Sequence, residues 1–418
     1  MNNAVNGGDV SFMLISSALV LLMTPGLAFF YGGMVRRKNT LNTMMSSFFI
    51  MGLASVMWVL VGFTLSFGPD LGGIVGSLKW FGLNGVGTAP GPYSQTIPNL
   101  LFCAFQMMFA VITPALITGA IVERMRFSSL FIFIALWSLV VYYPLAHMVW
   151  GAGGLLSRLG AVDFAGGNVV HISSGVSALV AALMLGKRKG HGISNHPPHN
   201  IPFVLLGAAL LWFGWFGFNA GSALGANGLA VHAFMTTNTS AAAAMLSFML
   251  IEKLCNGKPT AIGAATGAVV GLVAITPGAG FVPIWASLII GALVSPICYF
   301  AVTVVKTKLG YDDSLDAFGC HGVGGIWGGI ATGLFAQKSI NPVARWNGLL
   351  FGDWHLFAAQ LVAICVTIVL AAVGTFVCMS VVRLLSRPRV TQREEAEGLD
   401  ITEHGESAYP SFTGMDSF

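Results

Sequence analysis

Charge is what this chain has least of. Asp, Glu, Lys and Arg make up 9% of its 418 residues, against roughly 25% in soluble globular domains. With 55% hydrophobic residues and a mean hydropathy of +0.79, most of the chain is excluded from facing water. Cysteine is sparse too. Cys103, Cys255, Cys298, Cys320, Cys365 and Cys378 are scattered with no close pair, so neither a disulfide framework nor a zinc-ligand spacing follows. They read as small apolar fillers. A basic n-region is missing before the first apolar run, so no cleavable signal peptide is expected. No Walker, GxSxG or HExxH pattern occurs, which gives an ATPase or a hydrolase no support. The sequence calls for no cofactor, no metal centre and no nucleic-acid partner.

What the chain has in quantity is long uncharged runs and 53 glycines. Small residues let helices approach closely in lipid, where packing replaces the hydrophobic drive. Eleven runs, each near the ~20 residues that one crossing needs, fall at about 11–31, 41–67, 99–121, 128–150, 167–185, 201–218, 231–251, 261–275, 282–305, 319–335 and 356–382. The eighth and tenth are short and glycine-rich, and a count of ten or twelve would arise there. Charge placement tests the count. The odd-numbered connections and the tail hold sixteen of the twenty Lys and Arg; Lys79, Arg158, Lys338 and Arg345 remain for the other side. The positive-inside rule then places the N-terminus outside and the tail in the cytoplasm. Losing one span would scramble that bias. The expected fold is an all-α integral membrane protein of the cell (plasma or inner) membrane.

Two halves can be compared. Gly26-Leu-Ala-Phe-Phe-Tyr-Gly-Gly33 closes the first run and Gly214-Trp-Phe-Gly-Phe-Asn-Ala-Gly221 the sixth, while the fifth and tenth each carry a histidine, His171 and His321. An odd-numbered half forces the second half to run inverted, a transporter device that sets a pathway at the repeat interface. The expected organisation is a membrane domain over about 1–386, with pseudo-repeats at about 9–190 and 199–340 and an eleventh helix at about 354–384. The polar segment 387–418 follows as a cytoplasmic tail, solvated or docked on the helix ends.

Polar groups inside a membrane are costly, so each is a functional candidate. A single buried histidine is more often satisfied by a backbone carbonyl. Two at matching positions in inverted halves point instead to a shared lumen, where imidazole can accept a hydrogen bond or relay a proton. Asp163 opens the fifth run, either as a helix N-cap or as a carboxylate lending negative potential to a cation site. Trp150, Phe105, Phe109, Trp215 and Phe218 sit near the outer ends of runs. Each alone fits an interfacial belt; together they can form a cation site, with Ser222 adding a hydroxyl. The loop from His191 to His199, with His196 between, allows a metal reading, and its prolines favour a plain structured loop.

At these residues the sequence resembles the ammonium transporter family (Amt/MEP, related to Rh proteins), of the bacterial or archaeal Amt type. The resemblance runs from Thr24-Pro-Gly-Leu-Ala-Phe-Phe-Tyr-Gly-Gly33 through Phe105–Phe109, Ala146–Trp150, Asp163–His171, Gly214–Ser222 and Asp316–Gly325 to Glu397-Gly-Leu-Asp-Ile-Thr-Glu-His-Gly-Glu406. It implies a homotrimer with one pore per subunit and ammonium or ammonia as substrate. Trp150, Phe109 and Ser222 resemble the outer ammonium recruitment site, Phe109 and Phe218 the stacked pair that blocks the pore, and Asp163 the carboxylate that supports recruitment. His171 and His321 resemble the twin pore histidines. The tail is similar to the region that accommodates PII-type regulatory proteins. Residues 409–418 extend past the family motif and are assigned nothing. Two other readings remain at this stage: an ammonium sensor acting through a partner, and a redox protein holding haem between His171 and His321.

Overall fold

The computed structural model describes residues 5–192 and 197–409; His196 and residues 410–418 lie outside the described residues. In chain order the long helices are α1 (Gly7–Met34), α2 (Arg37–Phe67), α3 (Asn99–Ile121), α4 (Phe127–Leu159), α5 (Gly167–Leu185), α6 (Ile201–Gly221), α7 (Gly228–Asn256), α8 (Ala261–Ile275) and α9 (Ile284–Leu309). Then come α10, a π-helical turn Phe318–Gly322 running into Val323–Phe335, and α11 (Trp354–Leu385). Among the described residues nine of these are long and apolar enough to cross a membrane, with α8 shorter. Short polar caps start several of them: Asn6, Asn200, Asn227, Thr260 and Asp353 each accept a backbone amide of the following first turn. The chain is a multi-pass membrane protein, and its exposed Leu, Val, Ile and Phe side chains suit contact with lipid.

Two features depart from a purely helical expectation. The segment between α2 and α3 forms two small antiparallel hairpins, Asp70–Leu71 with Val75–Gly76 and Pro90–Gly91 with Ser94–Pro98. Glycine, proline and short polar residues there break helical periodicity and supply turns. The tail, expected only as a polar segment, carries two short helices, α12 (Gln392–Glu397) and α13 (Leu399–His404), with Thr391 and Glu394 making a reciprocal capping box.

Glycine sets how closely helices cross. A Cβ on Gly207 of α6 would overlap the Phe30 amide of α1, so these two backbones touch. At the bundle centre a Cβ on Gly175 of α5 would overlap Gly322 of α10, and one on Gly325 of α10 would press on His171. That crossing brings the two histidine-bearing turns together.

The basic connections share one face with the tail, hereafter the tail face; the hairpins mark the opposite, hairpin face. Glu123, 1% exposed, accepts from Arg36, Asn39 and Arg188, each at 2.9 Å. Arg188 also pairs with Asp312 at 2.8 Å. Arg124, fully buried, donates to the Asp312 carbonyl at 2.6 Å. Burial alone would raise the Glu123 carboxyl; the Arg36 hydrogen bond and the Arg188 charge reverse this and hold it at about 2. Burial likewise acts to raise Asp312 and Arg188 overturns it, leaving that carboxyl well below its ordinary range. The tail clips onto this network: Arg126 binds Glu394 and Glu403, Arg389 binds Glu395, and Asp400 accepts the Asn42 amide at the start of α2. Its described part, through residue 409, is docked on the helix ends. In the polar loop, His191 lies 3.3 Å from Asp312, and His199 bonds the Val35 carbonyl and the Tyr409 hydroxyl. These two histidines have separate partners.

Candidate functional site

Three cavities follow one another through the bundle. The first opens on the hairpin face, has a volume of about 150 Å³ and is lined by Phe67, Tyr93, Phe102, Gln106, Phe109, Trp150, Phe164, Ser222 and Leu224. Its floor is a ring pair: Phe109 of α3 stacks on Phe218 of α6 with centroids 4.2 Å apart. Beneath Phe218 lies the second cavity, about 10 Å³, walled by Met23, Leu27, Ile112, Leu211 and Trp215 and containing His171 and His321. A third, about 70 Å³, continues towards the tail face; it shares Phe30, Val269 and His321 with the second and reaches Asp316.

The upper pocket offers aromatic faces and neutral oxygens. Trp150 donates its indole N–H to the Asp163 carbonyl at 2.9 Å, which fixes the ring, and stands edge to face with Phe109 at 6.0 Å. Ser222 donates its hydroxyl proton to the Phe218 carbonyl at 2.8 Å, leaving oxygen lone pairs for another donor. An indole face holds a desolvated cation by about 2 kcal/mol or more.

Both histidines are carried on π-helical turns, Gly167–Ile172 and Phe318–Gly322, a local widening often found at functional sites. Their ring planes lie within 18° of parallel with centroids 5.4 Å apart, and the Trp215 ring lies 5.4 Å from that of His171. Both nitrogens of His171 and Nδ1 of His321 have no hydrogen-bond partner among the described residues. Buried polar groups are rarely left so. Among the described residues no group of three His, Cys, Asp or Glu is poised for a metal ion.

A sequence profile of the Ammonium Transporter Family matches residues 11–409. The chain belongs to this family. It is 55% identical over 402 residues to the ammonium transporter of Bacillus subtilis, covering 96% of this chain and 98% of that protein. It is 46% identical to ammonium transporter Amt1 of Archaeoglobus fulgidus, covering 97% and 100%. The fold matches the crystal structure of Saccharomyces cerevisiae Mep2 with a TM-score of 0.86 at 36% identity, over 94% of this chain and 92% of that one.

Within this family member, the residues singled out from sequence fall at distinct levels. Trp150, Phe109 and Ser222 line the upper pocket, Phe109 and Phe218 stack beneath it, and His171 and His321 share the central cavity. Asp163 is not among the residues lining these three cavities. Its carboxylate accepts the amides of Gly166, Gly167, Asn168 and Val169 at 2.6–3.4 Å, capping α5 eight residues before His171. Phe105 is buried against Phe109, behind the pocket. The sequence reading passed over Tyr93, Phe102 and Phe67, which build the far wall. It also missed Asp313, which caps α10 through the Ala317 and Phe318 amides, eight residues before His321. The repeated Asp-to-His spacing was a usable signal. Asp163→Ala strips the cap from buried amides and is expected to lower stability by about 2 kcal/mol, read as a lower unfolding temperature of the purified protein.

Proposed function

We propose that this chain is an ammonium transporter of the cell membrane. The observation that carries the proposal is a pair of unpartnered, stacked imidazoles in a narrow apolar conduit beneath an aromatic plug. Ammonium is gathered in the upper pocket by the faces of Trp150 and Phe109, with Ser222 accepting a hydrogen bond. Potassium matches ammonium in size and charge, so this pocket alone would not separate them. Selection follows from what lies below. A bare charge in a dry conduit of about 10 Å³ is heavily penalised, whereas ammonium can shed a proton and continue as ammonia. Asp163, projecting field from its cap, supports capture and deprotonation. His171 and His321 then hydrogen-bond ammonia, and their ring nitrogens can carry the separated proton onward.

The same reading sets the architecture. Helices α1–α11 each cross the membrane, the N-terminus outside and the tail in the cytoplasm, as the charge asymmetry requires. Residues 9–190 and 199–340 form inverted repeats. Their common register supports this: Asp163, His171 and Gly175 in one half answer Asp313, His321 and Gly325 in the other. The protein assembles as a homotrimer, and its docked tail offers a PII-type protein a cytoplasmic surface.

Uptake of labelled methylammonium by a transport-deficient cell tests the function. Expression of this chain is expected to restore uptake, and no uptake from correctly inserted protein would refute the proposal. Trp150→Leu removes the indole face but keeps apolar bulk. It is expected to raise KM by about tenfold or more while leaving transport at saturating substrate largely intact.

A further inference from the structure

A fully buried histidine on the hairpin side is left unused by the transport steps above. His147 sits on α4 with Nδ1 3.0 Å from the Ser66 carbonyl and Nε2 3.0 Å from Asp70 Oδ1. A carbonyl oxygen can only accept. Asp70 also acts as an acceptor: the His147 hydrogen bond, then the Gly73 amide at 2.6 Å and the Arg158 guanidinium at 3.4 Å, hold its carboxyl below the ordinary range. The ring thus bridges the Ser66 backbone at the end of α2 and the Asp70 side chain in the first hairpin.

Its partners are neighbours of the upper pocket. Ser66 adjoins Phe67, and Trp150 follows His147 by three residues. The Phe67 carbonyl accepts the Tyr93 hydroxyl at 2.7 Å; that hydroxyl in turn accepts the Ala152 amide at 3.1 Å, just beyond Trp150. Tyr93 stacks on Phe102 at 4.7 Å. One bridging ring therefore ties the Trp150 side of the pocket to its Phe67–Tyr93–Phe102 wall.

We propose that His147 is a positioning residue for the upper pocket, its bridge setting the spacing between Trp150 and the opposite aromatic wall and thereby tuning capture of a small ammonium-type cation. This rests on the transport reading above. The charged group facing the ring is Asp70, with Arg158 behind it. Without the ring, neither the Ser66 carbonyl nor Asp70 is held to α4 at this point, and the wall loosens.

Methylammonium uptake kinetics at matched surface expression test the proposal. His147→Gln, which lacks a rigid ring to reach both Ser66 and Asp70, is expected to show a KM raised by roughly three- to tenfold with the maximal rate held. Asp70→Asn keeps size and an acceptor at a partly exposed position, and is expected to raise KM in the same direction. If His147→Gln fails to accumulate, Asp70→Asn decides alone. A KM unchanged in the variants, or a fall in maximal rate with KM unaltered, would overturn the proposal. If the wild type itself does not transport, the transport reading fails and takes this proposal with it.

Discussion

Replacing His171 and His321 together by Leu is expected to reduce methylammonium uptake to the level of cells lacking the protein. Leucine fills nearly the volume of imidazole, so the bundle loses little packing. What disappears is the set of unpartnered ring nitrogens in the central cavity. Ammonia entering from the upper pocket would then exchange water for hydrocarbon with no hydrogen bond in return, at a cost of several kcal/mol. The proton it leaves behind would also have no relay. Either single replacement keeps one ring beside the path and is expected to leave measurable uptake. Initial rates at matched surface expression decide the matter, and wild-type rates in the double variant would strip the pair of its role.

Arg188→Leu is expected to produce the largest loss of stability, about 3–5 kcal/mol. Arg188 neutralises two buried carboxylates at once, Glu123 at 2.9 Å and Asp312 at 2.8 Å. Its removal leaves Asp312 with no guanidinium on its carboxylate and Glu123 with Arg36 alone. The linkage has a definite sign. In the wild type Glu123 is held at about 2 against an ordinary 4.5, so its contribution is fully present above the ordinary value and is lost as pH falls towards 2. In the variant both carboxyls move up, so mild acid, which neutralises them, is expected to narrow the gap to wild type. Adding Glu123→Gln should recover part of the loss at neutral pH by removing one orphaned charge. Unfolding temperatures of detergent-purified proteins across pH read all of this.

The helices were legible in the sequence because lipid leaves little choice: each crossing must be apolar and must satisfy its own backbone bonds. Even the short α8 (Ala261–Ile275) appears where the apolar run predicted it. Charge placement grouped the basic connections correctly, and Arg36, Arg124, Arg126, Arg188 and Arg389 do meet on one face. The hairpins between α2 and α3 were not foreseen, since their strands are only two to five residues long and show no alternation. The site was partly legible. His171 and His321 stood out because charge and polarity are rare in such a chain, and the structure stacks them. Tyr93 and Phe102 did not stand out. One sits in a polar loop and the other among many aromatics, and their meeting depends on where the hairpin folds back. Asp163 had two readings, and its four amide contacts establish the cap.

The most direct test is electrical. Purified protein reconstituted in a supported membrane is challenged in turn with ammonium, potassium and sodium pulses of equal concentration. A conduit that passes a cation only after it surrenders a proton predicts a current, or an internal pH change where the proton stays behind, on ammonium and none on the two metal ions. A potassium current comparable to that of ammonium would contradict the account, because it would mean that an intact charge crosses the histidine pair.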